Sequence, residues 1–260
     1  MSHITCKQIV EGVASITMNR PDLHNAFNDD MMKELTDAFG TLGADTKVRA
    51  VILAAEGKSF CAGADIHWMK RMVDYSLDQN IADANILARM LRSIRECPKP
   101  VIARVHGAAY GGGVGLIAAA DMAVALRGAA FCLSEVKLGI VPAVISPFVL
   151  ERIGPGAARR YALTAERFDA DEAKRLGLVS EVVDTPGQLD EWIGEITKHI
   201  LANGPTAVAA CKQILSEVAG VSWDQVQART TQRIAEIRVS PEGQEGLKAF
   251  LEKRKPKWAE

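Results

Sequence analysis

A chain of 260 residues with 48% apolar and 24% charged side chains has room for one large globular domain, or one domain with an appendage. Its net charge of −1 offers no broad basic surface to nucleic acid or acidic membranes, so an anionic ligand must be met by local charge or backbone amides. Five cysteines without metal-ligand spacing, no signal-peptide pattern in MSHITCKQIVEG and no long unbroken apolar run lead us to expect a reduced, cytoplasmic protein with no metal site and no membrane span.

ITCKQIVEGVASITMNRP predicts two short strands around a turn at Glu11-Gly12. In NDDMMKELTDAFGTL, Asn28 is placed to cap a helix whose first turn holds Asp29 and Asp30, favourable for the helix dipole. RAVILAAEG reads as a buried strand, LDQNIADANILARMLRSIREC as a helix stopped by Pro98 and Pro100, and VIARVHG as another buried strand. DMAVAL and AAFCLSEVKLG are short and strand-like. From Ser146 the pattern turns helical, with DADEAKRLG closed by Gly177, a strand at LVSEVVD, and three helical stretches between Gly187 and Lys253. Strands alternating with helices and followed by a helical tail predict an α/β core over residues 1–200 and a helical region over 201–260.

The segment AAYGGGVGLIAAADMAVAL places Gly111, Gly112, Gly113 and Gly115 at the entry to an apolar helix, where each glycine costs about 0.5–1 kcal/mol against alanine. A helix N-terminus offers free N–H groups, and bare glycines let a ligand reach them. Close packing of helix on sheet favours the same residues. A dinucleotide fingerprint G-x-G-x-x-G would require glycine at 116, where Leu116 stands. A second small-residue loop, KSFCAGADIHWM, also follows a buried strand and leads toward a helix, so the two loops can each offer an amide to one anion.

SFCAGADI, VHGAAYGGGVGL and FCLSEVKLGIVP, in this order and spacing, resemble the enoyl-CoA hydratase/isomerase (crotonase) superfamily, and the likeness extends from NRPDLHNAFN to GQEGLKAFLEKRKPKW. The resemblance implies a crotonase-like spiral of ββα units binding an acyl-CoA thioester, with C-terminal helices that drive assembly into a trimer or dimer of trimers. Coenzyme A enters as part of the substrate and no further cofactor is implied. The resemblance assigns an oxyanion hole to the N–H groups of Ala64 and Gly112, which would polarise the thioester carbonyl and hold enolate charge. Each such donor is worth about 2.7–4 kcal/mol in other oxyanion holes. A β-branched residue at 112 is then expected to block the site while the protein still folds.

Hydratases of this family carry two glutamates. One matches Glu135, and the other falls on Gly115, which can neither polarise water nor carry a proton. Flanked by Leu133, Val136 and Leu138, Glu135 is expected to be partly desolvated, with a raised pKa suited to proton transfer. Tyr110 and Ser134 stand near the motifs as water-positioning groups, whereas His67 and His106 read as structural or surface residues. The resemblance further places main-chain groups around Ala62, Asp65 and Ile66 against the adenine and pantetheine of coenzyme A, and Gly111 against coenzyme A or substrate. It also brings Lys253 of the basic tail EKRKPK near a neighbouring subunit's nucleotide, while Leu23 and His24 replace the basic residues of many relatives. The wording of FCLSEVKLGIVPAVISPFV, GAARRYALTAERF and IRVSPEGQEGLKAFLEKRKP resembles the bacterial branch that hydrates carboxylated, branched enoyl-CoAs, 3-methylglutaconyl-CoA and isohexenylglutaconyl (γ-carboxygeranoyl)-CoA among them. The expected reaction is therefore hydration of 3-methylglutaconyl-CoA to 3-hydroxy-3-methylglutaryl-CoA in leucine breakdown. The alternatives are a Δ3,Δ2-enoyl-CoA isomerase using Glu135 alone, a generic short-chain enoyl-CoA hydratase, and a non-catalytic binding module of the same fold.

Overall fold

The computed structural model describes residues 2–259. Strands β1 (Ile4–Val10) and β2 (Val13–Met18) pair antiparallel around Gly12, whose φ of +79° suits a tight turn that a side chain would strain. Strand β3 (Ala50–Ala55) joins β2 in parallel, and β4 (Val101–Val105) joins β3. After β4 the chain makes β5 (Ala109–Tyr110), β6 (Met122–Leu126), β7 (Ala130–Cys132), β8 (Phe168–Asp169) and β9 (Glu181–Val183). The main sheet has the order β1-β2-β3-β4-β6-β9, while β5-β7-β8 form a second, smaller sheet.

The helices between strands begin where the sequence supplies caps. Asn28 accepts from the Met31 N–H to start α1 (Asp29–Ala44), and the Asp65 carboxylate does the same for α2 (Ile66–Met72). A capping box of Ser76 and Gln79 opens α3 (Leu77–Arg95), which ends before Pro98. Helix α4 (Gly112–Ala119) is buried almost throughout, and α5 (Ser146–Thr164) bends at Gly154 (φ +72°) ahead of Pro155. Then come α6 (Ala170–Leu176), ended by Gly177, and α7 (Pro186–Leu201).

The inner strands β2, β3, β4 and β6 are largely buried on both faces because both faces are covered, whereas the edge strand β1 is mostly exposed. Val51 and Leu53 point into the main core with Leu35, Leu91 and Leu116, from α1, α3 and α4. Ala50, Ile52 and Ile102 point the other way, onto Leu189, Ile193 and Ile200 of α7. Each fully buried aliphatic side chain of this kind contributes about 1.5–3 kcal/mol.

Beyond α7 the chain forms α8 (Pro205–Val218), α9 (Trp223–Val239) and α10 (Pro241–Leu251), which pack on one another. Lys212 of α8 ties this layer to the core through Asp121 at 2.7 Å and the Lys99 carbonyl at 3.1 Å. Four helices therefore stand where the sequence reading gives three. The missed break is Ser240-Pro241, where Ser240 accepts from the Gly243 N–H and Pro241 takes the first helical turn. AAFCLSEVKLG is also only partly strand: β7 stops at Cys132, and Glu135–Leu138 form a 3-10 turn ended by Gly139 at φ +72°.

Candidate active site

The spiral path assembles the site by repetition. After β3, β4 and β6 the chain makes a short extended piece in a second layer, and these pieces lie side by side. Cys61 bridges Ala109, and Ala109 pairs with Phe131. Neighbouring strands lie about 4.8 Å apart. Three residues beyond Cys61 and Ala109 come Ala64 and Gly112, and four beyond Phe131 comes Glu135. Residues separated by 71 positions in sequence, Ala64 to Glu135, thus occupy successive rungs at one end of this layer.

Hydrogen bonding fixes where the Ala64 amide points. Phe27 donates its N–H to the Gly63 carbonyl at 2.9 Å and accepts from the Asp65 N–H at 3.0 Å. Along an extended chain the intervening residue faces the opposite way, so the Ala64 N–H turns from Phe27 toward the Ala109–Gly112 side. There the Gly112 nitrogen lies 3.8 Å from where a Cβ on Gly63 would sit. Neither the Ala64 N–H nor the Gly112 N–H has an acceptor among the described residues. Gly112 opens α4, so the helix dipole adds partial positive charge at the same place.

Glu135 closes the third side. Its Oε1 lies 3.0 Å from where a Cβ on Gly111 would be, and its Oε2 is buried without a hydrogen-bond partner among the described residues. Burial pushes the Glu135 carboxyl above its ordinary pKa, as expected from the sequence. Of the apolar residues flanking it in sequence, Leu133 is 2% exposed, but Leu138 is 62% exposed and lies out in solvent. Ser134 lies beside Gly111, with its Oγ 3.7 Å from the same Cβ position.

Each glycine of the triplet is bare for its own reason. Gly111 has φ +51° and faces Glu135, while a Cβ on Gly113 would overlap the Cys61 carbonyl. A Cβ on Gly112 would overlap the ring of Phe27, a core residue 1% exposed. This corrects the expected effect of a side chain at 112, which would press on the core rather than fill the site. We therefore expect Gly112→Val to cost about 1–3 kcal/mol as an overpacked core, measured as a lower denaturation midpoint. A normal midpoint would mean that Phe27 yields freely.

At Gly115, where the expected second acid is missing, the space is filled: a Cβ there would overlap the Ile145 side chain, with Ile145 Cβ at 3.0 Å and Leu91 Cδ1 at 3.7 Å. A glutamate at 115 has no room beside Ile145.

Asp65 is buried and committed to structure. It pairs with Arg20 at 2.6 Å, accepts from the His67 N–H at 2.7 Å, and gives its own N–H to Phe27. Burial pushes the Asp65 carboxyl up, but Arg20 and the two helix N–H groups outweigh it and hold the pKa below its ordinary value. Arg20, which sequence reading left without a role, also donates to the Ala26 carbonyl and so braces the loop carrying Ala64. Ala62 and Ile66 are exposed beside this loop, although the Ala62 N–H is taken by the His24 carbonyl. Lys253 is exposed just beyond α10 with φ +54°. Arg254 of the same tail is paired with Glu245 and Glu252.

His67 is exposed on α2, while His106 holds the Gly57 carbonyl at 3.0 Å, and its burial lowers its pKa. The Tyr110 ring sits under the Arg167 guanidinium at 5.3 Å. His24 adopts φ +52° and contacts Ser59 at 3.1 Å, and Leu23 is 43% exposed.

Residues 8–260 match the family described as enoyl-CoA hydratase/isomerase. This chain is a member of that family. A short-chain-enoyl-CoA hydratase of Clostridium acetobutylicum is 37% identical over 245 residues, covering 94% of this chain and 92% of the relative. A crotonyl-CoA hydratase of Syntrophomonas wolfei is 36% identical over 247 residues, covering 94% of each. Among solved structures, an enoyl-CoA hydratase from Shewanella pealeana superposes with a TM-score of 0.94 at 44% identity, covering 98% of this chain and 96% of the other. Pseudomonas aeruginosa AtuE superposes with a TM-score of 0.95 at 36% identity, covering 99% of this chain and 100% of the other. The crotonase fold expected from the motifs is therefore the fold of this chain, an enzyme of the enoyl-CoA hydratase/isomerase family. No helix among the described residues is long and apolar enough to cross a membrane.

Proposed function

We propose that this enzyme adds water reversibly, on one face, to a branched 2-enoyl-CoA, with 3-methylglutaconyl-CoA as preferred substrate and 3-hydroxy-3-methylglutaryl-CoA as product. The observation that carries the reading is the Glu135 carboxyl, with one buried oxygen unpartnered among the described residues, next to two amides that have no acceptor among them. The Ala64 and Gly112 N–H groups take the thioester oxygen, making Cβ electrophilic and holding negative charge as it develops. The Glu135 carboxylate accepts a proton from water as its oxygen bonds to Cβ. The same carboxyl returns a proton to Cα on that face, and the enolate collapses to the saturated thioester. Coenzyme A is part of the substrate, and the scheme uses no further cofactor.

A tertiary Cβ suits such a site. It tolerates positive character while water adds, which eases the demand on the one acid. Support for the branched, carboxylated acyl group comes from the wording of the VPAVISPFV segment. The relatives' names, short-chain and crotonyl, favour a short acyl chain without specifying a branch. The second reading, double-bond migration between 3-enoyl and 2-enoyl thioesters, is favoured by the same lone acid, because one carboxyl suffices to move a proton between Cγ and Cα.

The deciding experiment offers crotonyl-, 3-methylglutaconyl-, isohexenylglutaconyl- and 3-enoyl-CoA and identifies products as well as rates. The highest kcat/KM is expected with 3-methylglutaconyl-CoA, yielding the 3-hydroxy product. Preference for a straight 3-enoyl thioester would replace hydration by isomerisation.

We also propose a trimer or dimer of trimers. Leu215, Val239, Phe250 and Leu251 on the C-terminal helices are 64–81% exposed, and Leu138 and Val141 beside the Glu135 turn are 62% and 69% exposed. Burial of these faces in the assembly would also bring a neighbour's tail, with Lys253, toward bound coenzyme A. Sedimentation at micromolar concentration should give three or six times the chain mass, and a monomer would refute the assembly.

A further inference from the structure

We infer that Ile145 is a specificity-determining residue: its side chain is the wall that ends the acyl pocket, separating Glu135 from an apolar cleft behind it. Three observations meet at this residue. On one side, Ile145 fills the α4 face at Gly115, one turn along from the Gly111 that Glu135 touches. On the other side, Ile145 and Leu133 line a cleft of about 390 Å³ together with Pro142, Val149, Ala158 and Ala162. Both wall residues are 2% exposed, and α5, which frames the cleft, packs against α4 and against the Glu135 turn.

The consequence for substrate choice is physical. An acyl chain held at Ala64 and Gly112 and crossing Glu135 meets the branched side chain of Ile145 instead of open space. Methylene groups beyond that point have nowhere to go while the wall stands. Truncating the wall joins the reaction site to the cleft, where each buried methylene strengthens binding about fourfold.

The inference rests on Glu135 and the two amides being the reaction site. Its test compares consumption of crotonyl-CoA and 2-octenoyl-CoA, by hydration or isomerisation, in the full-length wild type, Ile145→Ala and Ile145→Val. The octenoyl-to-crotonyl ratio of kcat/KM should rise tenfold or more in Ile145→Ala and by a smaller factor in Ile145→Val. Adding Ala162→Leu to Ile145→Ala refills the cleft and should reverse the gain. An unchanged ratio in the folded alanine variant, or in the valine variant if alanine does not fold, overturns the wall, as does an equal loss on both substrates. Adding Glu135→Gln to Ile145→Ala must abolish both activities. If it does not, the site reading fails rather than the wall.

Discussion

Glu135→Gln is expected to lower kcat by about 10³-fold while leaving the affinity for a saturated acyl-CoA thioester nearly unchanged. Glutamine keeps the size and packing of the side chain against Gly111 but cannot accept a proton from water. Near-normal turnover would remove Glu135 from the chemistry. The same substitution makes a stability prediction of opposite sign. Burial raises the Glu135 pKa above its unfolded value, so between the two values the folded protein binds a proton that the unfolded chain has released. Stability is therefore present below the unfolded pKa, about 4.3, and is lost as pH rises through the folded value. The Gln variant escapes that loss, so it should melt higher than wild type at neutral pH, with the difference vanishing in acid. A difference independent of pH would show a solvated carboxyl. In the wild type, hydration needs the carboxylate, so kcat/KM should fall on the acid side with a midpoint above the ordinary carboxylate value.

Deleting one amide is the second large effect. Replacing Ala64 by its α-hydroxy acid counterpart turns a single backbone N–H into an ester oxygen and leaves every side chain in place. Loss of one oxyanion donor should lower kcat by about 10²–10³-fold, with a smaller change in KM because the charge it meets develops in the transition state. An unaltered kcat would show that the Ala64 N–H points elsewhere. This backbone edit is cleaner than a side chain at Gly112, which collides with Phe27 before it reaches any ligand.

Much of the candidate site was legible because the residues proposed for its chemistry lie in short local motifs. The A-G-A-D loop, the glycine triplet and Glu135 each follow a strand, and the strands were readable as apolar runs. The roles within those motifs were less legible. Asp65 was legible only for its main chain; that its carboxylate binds Arg20 and caps α2 comes from the fold. The break before α10 was available in Ser240-Pro241, a cap signal inside an otherwise continuous helical pattern.

By itself the sequence determined which groups are present: one acid, two loops able to present amides, a missing second acid at Gly115, and an alternation of strands and helices that fits one layered fold. Tertiary structure alone decided what those groups face. Gly112 meets Phe27, Gly115 meets Ile145, and Cys61, Ala109 and Phe131 align as neighbours because successive turns of the chain stack. Periodicity and capping report on residues within about a helical turn or a strand of each other. Contacts between residues 30 to 85 positions apart, as in 115–145 and 27–112, arise only when packing fixes which surfaces share a volume.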